Sequence, residues 1–364
     1  MASHWRARVD APGPRDTVPA DKNSMTTPPS PKHHTTRPAG PRKVVVGTTL
    51  FTLFPSLRPY VSLDHRLQEM GQRLDEMTAS ARANQGRGLD IAVFPENSLN
   101  PPRAGRNVVQ RAVELDDHVK ATLGAMARKN NTYLVVCFNM LEDRKTGLVT
   151  NASVLFDRKG QVAGIYRKYF CLADMDGAGV EGGKYPGNSF PVFDTDFGRV
   201  AMLICYDVGF DDGFESYAAD GVDLILWPTM SPQTLVPRLN ARRFGFHIVS
   251  STPRDNASVF DPLGEIVAQT TREGVVTHEI DLDYRIVHWQ AALRNGAALR
   301  DKYGDRVGFR YSEREDYGIF WSNDPKLPIG KMLEETGIIT DEAHREMART
   351  VRKKILDGSK PQPR

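Results

Sequence analysis

Six consecutive residues, Val200-Ala201-Met202-Leu203-Ile204-Cys205, carry no charge and no helix punctuation, and Tyr206-Asp207-Val208-Gly209 breaks the run at once. A segment of this kind is a strand buried on both faces, which needs a layer of structure on each side of it. The run stops on a cysteine. A thiol placed there is held by the strand while its sulfur faces a turn, whose backbone N–H groups favour a thiolate and later an oxyanion. A lone strand cysteine is more often a packing residue, so the rest of the chain has to decide between the two readings.

Strand and helix patterns alternate on both sides of that run. Apolar strands are expected at 43–49, 91–94, 133–138, 152–156, 161–166, 190–193, 222–227, 248–251, 258–260, 266–269 and 275–279. Ser62 is the N-cap of a helix whose stripe is Leu63, Leu67, Met70, Leu74 and Met77, ended by Gly86-Arg87-Gly88. A second stripe, Val108, Ala112, Leu115, Val119, Leu123 and Met126, predicts one helix, and shorter helices fall near 212–219 and 235–247. With no linker or detectable repeat, 43–283 is one α/β domain of packed layers. Residues 284–364 are expected as a helical extension, with helices at 284–303 and 341–356, docked on the domain or at a subunit interface.

Residues 1–42 hold eight of the 24 prolines and almost no aliphatic side chains, the composition of a disordered tail. Its three aspartates and lack of an amphipathic stripe fit a transit peptide poorly. Seven Arg or Lys against those aspartates place the chain's positive charge in the tail and leave the body near neutral, so nucleic acid is not an expected partner. No apolar run is long enough to cross a bilayer, and no membrane partner is expected. Cys137, Cys171 and Cys205 are too few and too scattered for a disulfide framework or zinc site, which points to a reducing compartment, the cytoplasm. The histidines lack metal-ligand spacing and no glycine-rich phosphate loop follows a strand, so neither metal nor cofactor is expected.

Three titratable residues stand just past apolar strands: Glu96, Lys168 and Cys205. Active sites in α/β sheets gather at such strand ends. A carboxylate, an amine and a thiol are the parts for a cysteine nucleophile with a base and a cation. Taken singly, Glu96 is equally well a solvated strand-end carboxylate and Lys168, beside Arg167, plain surface charge. Cys171 has no base in its vicinity along the chain and Cys137 lies mid-strand; both are expected as bystanders.

Val93-Phe94-Pro95-Glu96, Tyr166-Arg167-Lys168 and Leu203-Ile204-Cys205-Tyr206-Asp207 together resemble the three signature segments of the nitrilase superfamily of carbon–nitrogen hydrolases, in the family's order. The likeness runs from about residue 43 to 281. It implies a nitrilase-like αββα four-layer sandwich with a helical C-terminal extension, and a homodimer or larger assembly. It also implies that Cys205 attacks an amide or nitrile carbon, that Glu96 moves the protons, and that Lys168 with the Tyr206 backbone N–H holds the oxyanion. Glu181, which precedes Pro186-Gly187, takes the place of a second family glutamate that orients the lysine or substrate, with Asp174 or Asp176 as alternatives. Asn97, Phe210, Met230 and Ser231 are the implied substrate-binding residues.

Tyr206-Asp207 after the cysteine resembles the amidase-like branch, where nitrilases more often carry Trp-Glu. The implied activity is cleavage of a small-molecule amide or N-carbamoyl group through a thioester. A nitrilase, an acyltransferase using the same thioester, and a catalytically silent scaffold are the alternatives. Val208-Gly209-Phe210-Asp211-Asp212 and Ala241-Arg242-Arg243-Phe244-Gly245-Phe246 depart from the family's pattern, which leaves substrate and assembly open.

Overall fold

The computed structural model describes residues 40–360. In chain order its elements begin β1 (Lys43–Leu50), α1 (Leu63–Gln85), β2 (Ile91–Val93), α2 (Val108–Arg111), α3 (Asp117–Asn130), β3 (Tyr133–Asp143), β4 (Leu148–Phe156), β5 (Val162–Arg167), β6 (Val192–Asp194) and β7 (Arg199–Met202). A 3-10 turn (Cys205–Gly209) leads to α4 (Asp211–Ala219), β8 (Leu224–Pro228), α5 (Leu235–Phe244), β9 (His247–Ser251), β10 (Ala257–Phe260), β11 (Ile266–Thr270) and β12 (Gly274–Asp281). The extension adds β13 (Tyr284–His288), α6 (Ala297–Tyr303), β14 (Val307–Ser312), β15 (Tyr317–Ser322), α7 (Ile329–Glu334) and α8 (Asp341–Leu356).

Two six-stranded sheets, ordered β12-β1-β2-β3-β4-β5 and β11-β10-β9-β8-β7-β6, stack face to face. Each has three parallel strands at its centre, β1-β2-β3 and β7-β8-β9, flanked by antiparallel strands. The strand period of two explains the layering. Val44 and Val46 of β1 point into the core between the sheets, with Ile91, Val135, Val200, Met202, Leu226 and Val249, while Val45 points outward with Ala92 and Leu134. That outer face packs on the α1 stripe Leu67, Met70, Leu74 and Met77 and on Val119 and Leu123 of α3. Phe214 and Tyr217 of α4 and Phe244 of α5 cover the second sheet. The result is the four-layer αββα sandwich. Among the described residues no helix is long and apolar enough to cross a membrane.

Four expectations change. The single helix over Val108–Met126 is broken: Val113 is drawn into a parallel bridge with Met140, and Asp116 caps a fresh start by accepting from the Val119 N–H at 2.9 Å. The strand before Cys205 ends at Met202, and Cys205 itself opens the 3-10 turn. The segment 284–303 is helical only at its end. Its first part, β13, pairs with β15 in a sheet ordered β13-β15-β14, because Val287 of β13 and Phe320 of β15 are buried together in the extension's own core. Finally, the tail is ordered at its last three residues. Gly40 and Arg42 bond through backbone N–H groups to Asp283 and Asp281, and the Arg42 guanidinium meets Asp223 at 3.0 Å and the Leu282 carbonyl at 2.6 Å. The remainder of the expected disordered tail, residues 1–39, lies outside the described residues.

Arg42 thus fastens the edge of the first sheet to the β7–β8 side of the second. Arg42→Ala is expected to lower unfolding free energy by about 2 kcal/mol, since it strips a partner from a carboxylate that is largely buried. Urea denaturation of the two proteins measures the loss.

Candidate active site

Each of the three strand-end residues is delivered to one cleft by a different element. Glu96 follows β2, where Phe94 continues the strand's bonding by donating to the Val135 carbonyl and Pro95 then ends it. Lys168 follows β5, its backbone N–H still bonded to the Asn151 carbonyl of β4. Cys205 begins the turn after β7. They line a cleft of about 370 Å³ together with Asn97, Glu181 and Met230, within the size range of small-molecule sites.

Charge alternates along the floor of this cleft. The buried Lys168 ammonium lies 3.3 Å from Glu96 Oε1 and 2.5 Å from Glu181 Oε1, and Lys184 closes on the other Glu181 oxygen at 2.7 Å. Burial works against the lysine's charge, but Glu96, the Cys205 sulfur and Glu181 outweigh it, so its pKa is pushed up. Burial likewise opposes the Glu181 charge, and Lys168 and Lys184 overcome it, holding that carboxyl down to about 2. Glu96 is fixed at both oxygens: Oε1 also accepts from Asn151 Nδ2 at 2.6 Å, and Oε2 accepts from the Met230 N–H at 3.0 Å. Cys205 behaves differently. Burial and then the Glu96 charge push its thiol up to about 12, against the opposing pull of Lys168, the Thr229 hydroxyl and the Met230 N–H. The resting sulfur is therefore protonated at neutral pH.

Strain gathers at the same place. Asn97, Glu181 and Cys205 adopt φ values of 63°, 45° and 47°, left-handed conformations that cost a non-glycine residue free energy. The cysteine is held there by Trp227, whose indole N–H donates to its carbonyl at 3.0 Å, and by Asp207. The buried Asp207 carboxyl accepts from the Ile204 N–H at 2.9 Å, from the Phe170 N–H at 2.7 Å and from the Tyr166 hydroxyl at 2.7 Å. It joins the Cys205 turn to the segment just after Lys168.

The remaining expected site residues divide. Asn97, Met230 and Tyr206 line the cleft, and Tyr206 is 43% exposed. Phe210 and Ser231 are not part of the lining. The Phe210 ring is taken up by Phe170, stacked at 3.8 Å between centroids, and it supports Tyr206 edge-on from behind. Ser231 is folded into a turn closed by Thr229 Oγ1, which its N–H reaches at 2.9 Å. Asp174 and Asp176 accept from backbone N–H groups of their own loop, Gly182 and Ala178, so the second carboxylate on Lys168 is Glu181. Cys137 is buried in β3, its sulfur 3.5 Å from Asn151 Oδ1. Cys171 is half-buried with its thiol pushed up to about 12 by burial and Glu181.

Asn151, Asp207, Thr229, Arg103, Arg111 and Lys184 were not picked out from the sequence. Asn151 carries a signal, a polar residue inside the largely apolar β4, and Asp207 stands two residues after Cys205 with no spacing that assigns it a role. Arg103 sits in the irregular stretch before α2 and Arg111 ends that short helix, and nothing in their spacing brings them to one cleft. Among the described residues, no group of three or more His, Cys, Asp or Glu has the arrangement to hold a metal ion.

The carbon-nitrogen hydrolase family model matches residues 63–287. The chain belongs to this family. It is a hydrolase acting on carbon–nitrogen bonds other than peptide bonds, of the nitrilase superfamily and its amidase-like branch. A probable nitrilase of Schizosaccharomyces pombe is 23% identical over 238 residues, 60% of this chain and 84% of that protein. The omega-amidase NIT2 of Homo sapiens is 28% identical over 218 residues, 54% of this chain and 78% of its own. Among solved structures, Saccharomyces cerevisiae Nit3, a member of branch 10 of the nitrilase superfamily, superposes with a TM-score of 0.57 at 19% identity, covering 68% of this chain and 93% of Nit3. That last likeness bears on the hydrolase's fold.

Asp207 gives this hydrolase a measurable signature. Burial raises its carboxyl to about 6, above the usual value near 3.9. Between those values the folded protein keeps a proton that the unfolded chain has lost, so this group's contribution to stability declines as pH rises from about 4 to about 6. Asp207→Asn is expected to flatten that part of the stability–pH curve. Asp207→Ala, which orphans three buried donors, is expected to cost about 3–5 kcal/mol. Denaturant titrations across pH 4–7 distinguish the three proteins.

Proposed function

We propose that this enzyme is a cysteine-dependent amidohydrolase that cleaves the C–N bond of a small amide or N-carbamoyl compound through a thioester. The observation that carries the proposal is the meeting of Glu96 and Lys168 at 3.3 Å in the cleft that Cys205 lines. Cys205 Sγ attacks the carbonyl carbon while its proton passes to Glu96. The carbonyl electron pair moves onto oxygen, where the Lys168 ammonium and the N–H groups of the turn stabilise it. As the tetrahedral adduct collapses, the C–N bond breaks and Glu96 returns the proton to the departing nitrogen. Water then loses a proton to Glu96 and adds to the thioester carbon. The C–S bond breaks, the sulfur regains its proton, and the acid leaves.

The protonated resting thiol supports this order of events. A thiolate beside ionised Glu96 would place two negative charges in a desolvated pocket, whereas transfer to Glu96 during attack keeps the number constant. Lys168 is committed to two carboxylates and has no proton-accepting capacity, so it serves as a fixed cation. Tyr206-Asp207 after the cysteine, together with the likeness to an omega-amidase, favours an amide over a nitrile.

Intact mass spectrometry during turnover of an amide panel is expected to reveal an acyl adduct that Cys205→Ala lacks, with ammonia released in proportion to acid. Glu96→Gln is expected to lower the acylation rate by about 10²–10⁴-fold. Ammonia from nitriles but not amides would redirect the assignment to a nitrilase, and transfer of the acyl group to an added amine in preference to water would make it an acyltransferase. No adduct and no ammonia across the panel would overturn the hydrolytic mechanism.

A further inference from the structure

We propose that the cavity between the hydrolase domain and the C-terminal extension is a second small-molecule site, separate from the Cys205 cleft, and that it takes a small organic cation with N–H donors on an apolar body. The proposal holds whatever bond the Cys205 cleft cleaves.

This cavity measures about 420 Å³ and shares no lining residue with the cleft; its volume suits a small ligand. One side comes from the domain: His278 and Asp281 of β12, His247 of β9 and Asp261 just past β10. The other comes from the extension, Arg310 of β14 with Ile319 and Trp321 of β15. Charge in this space is matched group by group until one remains. Lys43 meets Glu279 at 3.3 Å. Arg310 is bonded to Asp261 Oδ2, and Asp261 Oδ1 accepts from the Leu263 and Glu265 N–H groups at 3.0 and 2.7 Å. Burial, then Arg310 and His278, holds His247 down to about 3, and burial with Arg310 lowers His278, so both imidazoles are neutral at pH 7. Asp281 is left over. Its Oδ1 accepts from the Arg42 and Asp283 N–H groups at 3.0 and 2.8 Å, but Oδ2 is buried and has no partner among the described residues. Two cations against three carboxylates thus leave one negative charge on the lining. Burial raises the Asp281 carboxyl, the direction expected of a buried carboxylate short of donors.

His247 is the second unmet group. It is 4% exposed, and although the Asp281 and Phe260 carbonyls draw near its ring, neither ring nitrogen completes a bond of good geometry. A neutral imidazole offers one N–H and one acceptor nitrogen. Polar groups left unpaired in a protein interior are costly unless a ligand or water completes them. An ammonium or amidinium head supplies what is missing here. It brings N–H donors for Asp281 Oδ2 and for the acceptor nitrogen of His247, and its charge balances the carboxylate. Val267, Ile280, Ile319 and Trp321 give the ligand's body an apolar lining, and an indole in that lining favours a cation. A neutral ligand leaves the carboxylate unbalanced and an anion adds to the excess, so the same groups select against both.

Benzamidine, benzamide and benzoate share one shape and differ in charge, so calorimetry of the three on the full-length protein reads the selection directly. Benzamidine is expected to bind about 10-fold or more tightly than benzamide, and benzoate more weakly still. Asp281→Asn keeps an oxygen for the Arg42 and Asp283 N–H groups. It is expected to weaken benzamidine about 10- to 100-fold, the loss typical of a charge-assisted bond, and to bring it level with benzamide. Val267→Phe, which fills the cavity and leaves its charges in place, is expected to weaken benzamidine and benzamide alike by about 10-fold or more. Urea denaturation establishes that each variant is folded, and should one not fold, the other decides. No binding of benzamidine by the wild type, or equal binding of the three probes, overturns the site. Benzamidine binding that a folded variant leaves unmoved overturns it too, since the probe then sits elsewhere, as in the Cys205 cleft.

Discussion

An ammonium group out of contact with water dominates this structure. Lys168 is about 2% exposed, and an isolated charge at such a position would be strongly unfavourable. It is tolerated because Glu96 and Glu181 flank it, and Glu181 is flanked in turn by Lys184. The four side chains come from the end of β2, the end of β5 and the glycine-rich loop beyond it. Each needs its neighbour to remain ionised, so the three segments are placed relative to one another by charge as much as by packing. Loss of any one member leaves another buried charge unbalanced, which makes the cluster a condition of the fold around the cleft as well as a source of its chemistry.

The cluster also bridges the two sheets. One Glu96 oxygen is bonded by Asn151 from β4 of the first sheet, and the other by the Met230 N–H just past β8 of the second. Cys205 comes from the second sheet too, so it shares a cleft with Glu96 only because the sheets keep a constant offset. That offset is set by the apolar core between them and by links at the edge such as Arg42 to Asp223. The left-handed backbone at Cys205 fits this division of labour. The turn is strained, and Trp227 and Asp207 hold it from a packed interior that can sustain the cost.

That Glu96, Lys168 and Cys205 share one cleft was legible in the sequence because each stands just past an apolar strand, and strand ends in an α/β sheet converge. The layered fold was legible for a related reason: the stripes of α1 and the unbroken apolar runs of β3 and β8 leave little doubt about what is inside. Other features were not. Helix periodicity alone cannot show that Val113 will leave a helix to bridge Met140, since that bond depends on β3 being beside it. The extension's strands read poorly because β13 and β14 are half-polar and short, and their pairing is set by contacts within the extension. Phe210 and Ser231 were expected in the pocket from likeness alone, Phe210 in a segment where this chain departs from the family, and here the Phe210 ring is taken up by Phe170 and the Ser231 N–H by Thr229. Arg111 and Asn139 come together through the Asn100 side chain, a contact that has no periodic signature.

Proton placement connects these observations to the proposed chemistry. A pocket of low dielectric tolerates a change in charge position far better than a change in total charge. Burial and Glu96 push the Cys205 thiol up, so in the proposed mechanism the reactive anion arises only when a proton moves to that carboxylate. The displaced negative charge then develops on the substrate oxygen beside Lys168, whose positive charge was already stabilised by the carboxylates around it. With Glu96 protonated, Lys168 loses part of its compensation at the moment an oxyanion appears to replace it. The ammonium is thereby offered to the transition state more fully than to the resting site, which is the direction in which differential stabilisation must run for the barrier to fall.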